Sequence, residues 1–295
     1  MRPSRAQTIA AALGGHRVGT TWIARCPAHA DSTPSLSINE TGDGKLLVHC
    51  HAGCEQTAVI ATLQTCGLWA PGFANAEIRS RRPNDRDDDK LRTAYALKLW
   101  CAARPSDDSL VQVYLRSRGI RIRLPGTVKF HVGLRHPAGS TWPAMIGIVT
   151  RGRDNRPIGV HRTYLARDGC GKAPIEPNKM MLGPCRGGAV RLAPESAPLM
   201  IGEGIETCLA AMQATGHGAW AALSTSGLRT LDLPPAVQDV IVLADGDAPG
   251  EAAAMTAAAR WRHEGRRVRI ARPPQGADFN DVLLDRSTSS GERPR

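Results

Sequence analysis

Two short stretches, Cys26-Pro27-Ala28-His29 and Cys50-His51-Ala52-Gly53-Cys54, place thiol and imidazole donors on two turns. Zn²⁺ takes four such donors in a tetrahedron, and paired ligands on two turns supply them. Cys26, His29 and Cys54 are three of the expected ligands, and the fourth is Cys50, His51 or His49. Cys50 is favoured because thiolate suits a closed structural site, although its three-residue gap to Cys54 keeps His51 open. Far along the chain stands a second group, Glu203 with Asp245, Asp247 and Asp278. Like charges at 4 Å repel by about 4 kcal/mol at an effective dielectric of ~20. Carboxylates gathered so closely call for divalent cations, and an oxygen-only set of this kind suits Mg²⁺ or Mn²⁺ shared with phosphates.

Those donors need elements to hold them. Between the two cysteine turns, Ser35–Ile38 and Lys45–His49 have strand character, and helices are predicted over 6–13 and about Glu55 to Cys66, giving a zinc ribbon. Helical spacing returns at Leu91–Cys101 and Leu110–Arg118. Residues 121–195 carry short β runs broken by Gly, Asn and Pro, together with Arg151, Arg153, Arg156, Arg162, Arg167, Lys172, Lys179, Arg186 and Arg191. From Pro198 onward apolar strands at 199–201, 240–244 and 267–270 alternate with helices at 205–214 and 249–263. That alternation predicts a parallel sheet with covering helices. Glu203 follows the first of these strands and Asp245 and Asp247 the second, so they converge at the carboxyl edge where open α/β sheets bind ligands. Asp278 follows the third by a short loop and can reach the same edge.

Composition bounds the rest. A chain of 295 residues, 42% hydrophobic, holds two or three compact units. No stretch approaches a membrane span, and the polar, Arg-containing start is no secretory signal, so a cytoplasmic protein is expected. Cys66, Cys101, Cys170, Cys185 and Cys208 are scattered singly, as reduced thiols are. A net charge of +11 points to a polyanionic partner, most simply nucleic acid. Trp69, Trp100, Trp142, Trp220 and Trp261 read as core residues, whereas Trp22 near the cysteine turns is a candidate for base stacking.

Ile201-Gly202-Glu203-Gly204, Ala244-Asp245-Gly246-Asp247-Ala248-Pro249-Gly250 and Asp278-Phe279-Asn280-Asp281 resemble the three signatures of a Toprim domain. The N-terminal CPAHADSTPSLSI and VHCHAGC are similar to the zinc ribbon of bacterial and phage primases. More loosely, Tyr114–Ile120, the β stretch to Arg162 and Lys179-Met180-Met181-Leu182 resemble the basic subdomain of those primases. The resemblance implies Glu203 as the catalytic carboxylate, Asp245 and Asp247 as metal ligands that share in catalysis, and Asp278 as a further ligand. It also implies Arg162, Lys172 and Lys179 as groups that grip template or nucleotide phosphates.

The expected fold class is therefore α/β (α+β overall): a zinc-ribbon domain at 1–70, a linker at 71–90, a basic primase-core subdomain at 91–195, a Toprim domain at 196–285 and a disordered tail at 286–295. The expected function is that of a DNA-dependent primase from a phage, plasmid or other mobile element, making short RNA primers on single-stranded DNA from nucleoside triphosphates. Structural Zn²⁺ and catalytic Mg²⁺ or Mn²⁺ would serve it. The chain ends soon after the Toprim signature, so any helicase is expected to be a separate protein. The alternatives are a Toprim-type nuclease and a non-catalytic DNA-binding mediator of replication or recombination. A type IA topoisomerase is discounted, because Tyr95, Tyr114 and Tyr164 all precede the Toprim signature and the chain is short.

Overall fold

The computed structural model describes residues 3–31, 33–41, 46–69, 83–274, 279–281 and 283. Asp278, residues 71–82 of the expected linker and the tail at 286–295 lie outside them. The chain divides into two compact units, Met1–Arg82 with His136–Ser140, and Pro83–Arg135 with Thr141–Arg295.

The N-terminal unit runs α1 (Arg5–Ala12), β1 (His16–Val18), β2 (Thr21–Ala24), β3 (Leu36–Glu40), β4 (Leu46–Cys50), α2 (Gln56–Thr65). Ser4 caps α1 by accepting from the Gln7 N–H, and the Glu40 carboxylate takes the Arg5 N–H at 2.9 Å and the Ala6 N–H at 3.3 Å. Donors that a helix start leaves unpaired are thereby satisfied. The four strands form one antiparallel sheet in sequence order. Period-two alternation buries Leu36, Ile38, Leu46, Val48 and Cys50 against Ile9, Val59, Leu63 and Trp69.

The second unit begins with α3 (Pro83–Ala102), followed by β5 (Arg104–Pro105), α4 (Leu110–Ser117), β6 (Val128–Arg135), β7 (Thr141–Arg151), β8 (Pro157–Tyr164), β9 (Lys179–Leu182) and β10 (Gly188–Arg191). It continues through β11 (Leu199–Gly202), α5 (Ile205–Thr215), β12 (Ala219–Ala221), α6 (Thr225–Thr230), β13 (Asp239–Leu243), α7 (Ala248–His263) and β14 (Arg267–Ala271). Helix α3 corrects the expected linker, for it starts at Pro83 and not near Leu91. The low hydropathy of the acidic run concealed it. Proline suits a first helical turn, acids near a helix start complement its dipole, and Lys90 pairs with Asp87 at 2.9 Å.

One ten-stranded sheet organises this unit, in the order β14-β13-β11-β12-β10-β7-β6-β5, with β8 on β7 and β9 on β8. Strands β14, β13, β11 and β12 are mutually parallel, and β10 joins them antiparallel to the basic region. Trp220 and Trp261 are fully buried here. Trp100 and Trp142 are only partly buried, beneath Lys129 and Arg167, whose charges lie 4.3 and 4.8 Å from the ring centroids. The β7–β8–β9 sheet carries α3 on one face, with Ala96, Ile146, Val160 and Tyr164 packed together. The other face meets α4 and α5 through Tyr114, Leu115, Met145, Ile205 and Leu209.

Candidate metal centre and acidic edge

Strands β2 and β4 end side by side across β3, because Ala24 pairs with Leu36 and Leu36 with Cys50. Cys26 and Cys50 thus arrive together, and the turns that follow bring His29 and Cys54. The ligand atoms of these four residues all lie within 4.8 Å of one another, so the tetrad can hold a metal ion. Gly53 explains the long Cys50–Cys54 gap: its φ of +97° lets the chain turn back, with its N–H on the Cys50 carbonyl at 3.2 Å. His29 Nδ1 lies 3.2 Å from Cys54 Sγ, and its Nε2 lies 3.5 Å from Asp31 Oδ1. Asp31 Oδ2 accepts from the Cys26 N–H and from both the N–H and hydroxyl of Ser35. A carboxylate behind a ligand histidine fixes the ring's tautomer and orientation. Sequence reasoning had not singled out Asp31.

Burial, joined by the nearby Cys50 and Cys54, pushes the Cys26 thiol up to about 12. Burial opposes ionisation of Cys50 too, yet N–H groups of Cys54 and Ala52 and the Ser35 hydroxyl bring it below its ordinary value. His51 is exposed and lies outside the tetrad. We expect His51→Ala to keep one metal per chain and Cys50→Ser to lose it. Native mass spectrometry distinguishes them, and loss of the ion in His51→Ala would refute the tetrad.

At the opposite end of the sequence, Leu199 pairs with Val240 and Ile201 with Val242, so β11 and β13 end level. Glu203 stands one residue beyond β11 and Asp245 two beyond β13. Asp247 caps α7, its Oδ1 accepting from the Gly250 N–H at 2.7 Å. A Cβ on Gly250 would fall 2.8 Å from that oxygen and 2.9 Å from the Asp245 Cβ, so only glycine fits beneath the acidic loop. Asp245 and Asp247 line a cavity of about 390 Å³ with Glu251, Arg272 and Pro273. Arg272 and Glu251 pair through two oxygens, at 3.1 and 3.0 Å from the arginine Nε.

Glu203 is the strained member of the edge. Burial first, and then the charges of Asp245 and Asp247, push its carboxyl up to about 8, while Arg229 offsets part of the rise. Its Oε1 is buried with no hydrogen-bond partner among the described residues. The three carboxylates do not close to the spacing of the cysteine tetrad, which among the described residues stands alone in that respect. An orphaned acidic oxygen beside two more carboxylates is a donor set that fits a divalent cation.

The expected phosphate-gripping residues separate. In β8 and β9, Thr163 pairs with Lys179 and Arg162 with Met180, so Arg162 and Lys179 lie on opposite faces. Arg162 is 9% exposed on the α3 face, its guanidinium donating to the Tyr164 hydroxyl and the Met181 carbonyl. Nothing in that setting presents it to a phosphate near Glu203. Lys179 lies on the α5 face, 3.3 Å from Glu206, and the exposed Lys172 also directs its charge at Glu206. Other basic residues have structural duties: Arg191 stacks 3.9 Å from the Trp220 centroid and donates to the Gly152 carbonyl.

Residues 198–289 match the family model of the Toprim domain, and residues 90–192 match a family described as Domain of unknown function (DUF7146). The C-terminal part of the chain is thus a Toprim domain, set in a mixed α/β protein with an N-terminal Cys/His cluster. No curated protein matches the sequence. Among solved structures, the chain is similar to the zinc-binding and RNA polymerase domains of the Aquifex aeolicus primase, at 14% identity and TM-score 0.42, over 98% of this chain and 81% of that one. It is also similar to the RNA polymerase domain of Mycobacterium tuberculosis primase DnaG, at 14% identity and TM-score 0.35, over 80% of this chain and 82% of that one. The same domain in complex with double-stranded DNA gives 14% identity and TM-score 0.36, over 67% and 78% of the two chains. No helix among the described residues is long and apolar enough to cross a membrane.

Proposed function

We propose that the protein is a DNA-dependent primase that joins nucleoside triphosphates on single-stranded DNA in the cytoplasm, alongside a separate helicase. The observation that carries this reading is Glu203, half-buried at the carboxyl edge of a Toprim sheet beside Asp245 and Asp247, with a buried oxygen that has no partner among the described residues. Glu203, Asp245 and Asp247 would hold Mg²⁺ or Mn²⁺, with Asp278 proposed as a further ligand. When bound, the cation supplies neutralisation of phosphate charge at the reacting centre. Cys26, His29, Cys50 and Cys54 would hold Zn²⁺, whose preference for thiolate and imidazole the tetrad meets.

The chain's own groups then divide the work. Lys179 and Lys172 place positive charge around Glu206, in the helix turn that follows Glu203, where a triphosphate would be drawn in and oriented. Glu203 gives up its proton to water as the site fills, and the three carboxylates would then hold the cation that neutralises the reacting phosphate. A primer 3′-hydroxyl attacks the incoming α-phosphorus, its O–P bond forming and its proton passing to water as the bond to pyrophosphate breaks. Positioning and electrostatics suffice for such a transfer, and no covalent nucleophile on the protein is needed.

The test is primer synthesis on single-stranded DNA with labelled ribonucleotides and Mg²⁺, beside a Glu203→Gln, Asp245→Asn double variant. Short RNA products are expected from the wild type and none from the variant. Degraded template without primers would replace this reading by a Toprim-type nuclease. DNA binding without either reaction, with a helicase also supplied, would leave a non-catalytic mediator.

A further inference from the structure

Three residues after Glu203, in the first turn of α5, Glu206 is buried to 5% exposure. Its Oε1 accepts from the Tyr114 hydroxyl at 2.8 Å, and the Lys179 ammonium lies 3.3 Å from Oε1 and 3.4 Å from Oε2. Tyr114 comes from α4 and Lys179 from β9, both in the region ahead of the Toprim match. One carboxylate therefore binds two elements of the basic region to the helix turn that follows Glu203. His161, on the same face of the sheet as Lys179, is buried and kept neutral by burial and by the Lys179 charge, and its Nδ1 has no partner among the described residues. The charges acting on this cluster are thus Glu206, the two lysines and, beside them, Arg118 and Arg162.

Burial opposes ionisation of Glu206, but Lys179, Lys172 and the Tyr114 hydroxyl overcome it and hold the carboxyl well below its ordinary range. Exchanging a buried ion pair for apolar groups of similar size is often neutral or stabilising. Stability alone therefore gives no reason for a carboxylate here, whereas geometry does. The Lys179 side chain retains 37% exposure, and an ammonium has three donors. Held from one side by Glu206, it can still offer donors to an anion arriving from solvent.

Resting on the nucleotidyl-transfer reading, we propose that Glu206 is a positioning residue: locked by Tyr114, it holds the Lys179 ammonium at the helix turn that follows Glu203, as a contact for the triphosphate of an incoming nucleotide. An unheld lysine spreads over many rotamers and must be ordered again at each binding event. Glu206 removes that requirement without touching the nucleotide.

The experiment is a double-mutant cycle on the full chain, read as the Kd of a ribose-labelled fluorescent ATP with Mg²⁺. Glu206→Gln is expected to weaken binding about tenfold. Lys179→Met should weaken it at least as much, and the double variant no more than Lys179→Met alone, since Glu206 acts through Lys179. If Glu206→Gln does not fold, Tyr114→Phe takes its place in the cycle, with a smaller loss and the same non-additivity. Additive losses, or unchanged or tighter binding in Glu206→Gln, would overturn the assignment while leaving the primase reading intact. Wild type that binds no ATP would sink both.

Discussion

Stripping the metal from the N-terminal tetrad should unfold residues 3–69. Their apolar core is small, with Ile9, Leu36, Ile38, Leu46, Val48, Val59, Leu63 and Trp69 as its larger members. A module of this size rarely draws more than about 3–5 kcal/mol from its core alone. Zn²⁺ binding contributes about 10–16 kcal/mol in finger-sized peptides, so its removal reverses the sign of the folding free energy. The tetrad's chemistry adds to the effect. Cys26, whose thiol burial pushes up to about 12, stays protonated without a cation, and nothing then draws the four donors together. Chelation followed by amide NMR checks this. Signals of Ile9, Ile38, Val48 and Leu63 should collapse to random-coil positions, while those of Val149, Trp220 and Trp261 in the second unit keep their dispersion. Cys54→Ser should show the same collapse with zinc present. Retained dispersion at Ile38 and Val48 after chelation would show that the apolar core suffices and would reduce the metal to an accessory.

The difference in legibility between the two ends of the sequence has a physical origin. Cysteine and histidine at ligand spacing have few other reasons to cluster, so Cys26, His29 and Cys54 stand out in the sequence. The fourth ligand did not, because the choice between Cys50 and His51 depends on how Gly53 turns the backbone. Glu203 and Asp245 stood out because apolar strands precede them, and strand ends in a parallel sheet share an edge. Arg162 and Lys179 look alike in sequence, yet the register of β8 on β9 sends them to opposite faces, and a one-residue difference decides it. Glu206 was invisible for another reason. An acid in the first turn of a helix ordinarily serves the dipole from solvent, and only the arrival of Tyr114, 92 residues away, makes it a buried partner. Residues 83–90 failed as a linker because charge density was read as disorder, although acids at the start of a helix favour it.

Replacing Glu203 by Gln should abolish primer synthesis and, without divalent cation at the acidic edge, make the protein more stable at alkaline pH. The second effect follows from the raised carboxyl. Glu203 titrates at about 8 in the folded chain, against an ordinary value of 4.5. Between these values the folded state holds a proton that the unfolded state has released, so stability falls as pH rises through the window. Below it both states are protonated and the group contributes nothing; above it the folded state bears the full penalty. A shift of that size corresponds to about 5 kcal/mol at its upper limit, and solvent near the edge reduces the net effect to a few kcal/mol. Glutamine keeps the shape without the charge. Wild type and Glu203→Gln should therefore have equal stability near pH 4.5 and diverge toward pH 9, with the variant ahead. Millimolar Mg²⁺ should restore the wild type and move the variant far less, because the variant offers the cation only Asp245 and Asp247. For the same reason Mg²⁺ affinity in the wild type should climb about tenfold per pH unit below 8, one proton leaving as the ion binds. Urea melts across that range, with the cysteine tetrad kept loaded, supply the measurement. A wild-type curve parallel to that of the variant from pH 5 to 9 would mean that Glu203 is ionised throughout. The edge would then lack the mutual repulsion that makes it a cation site.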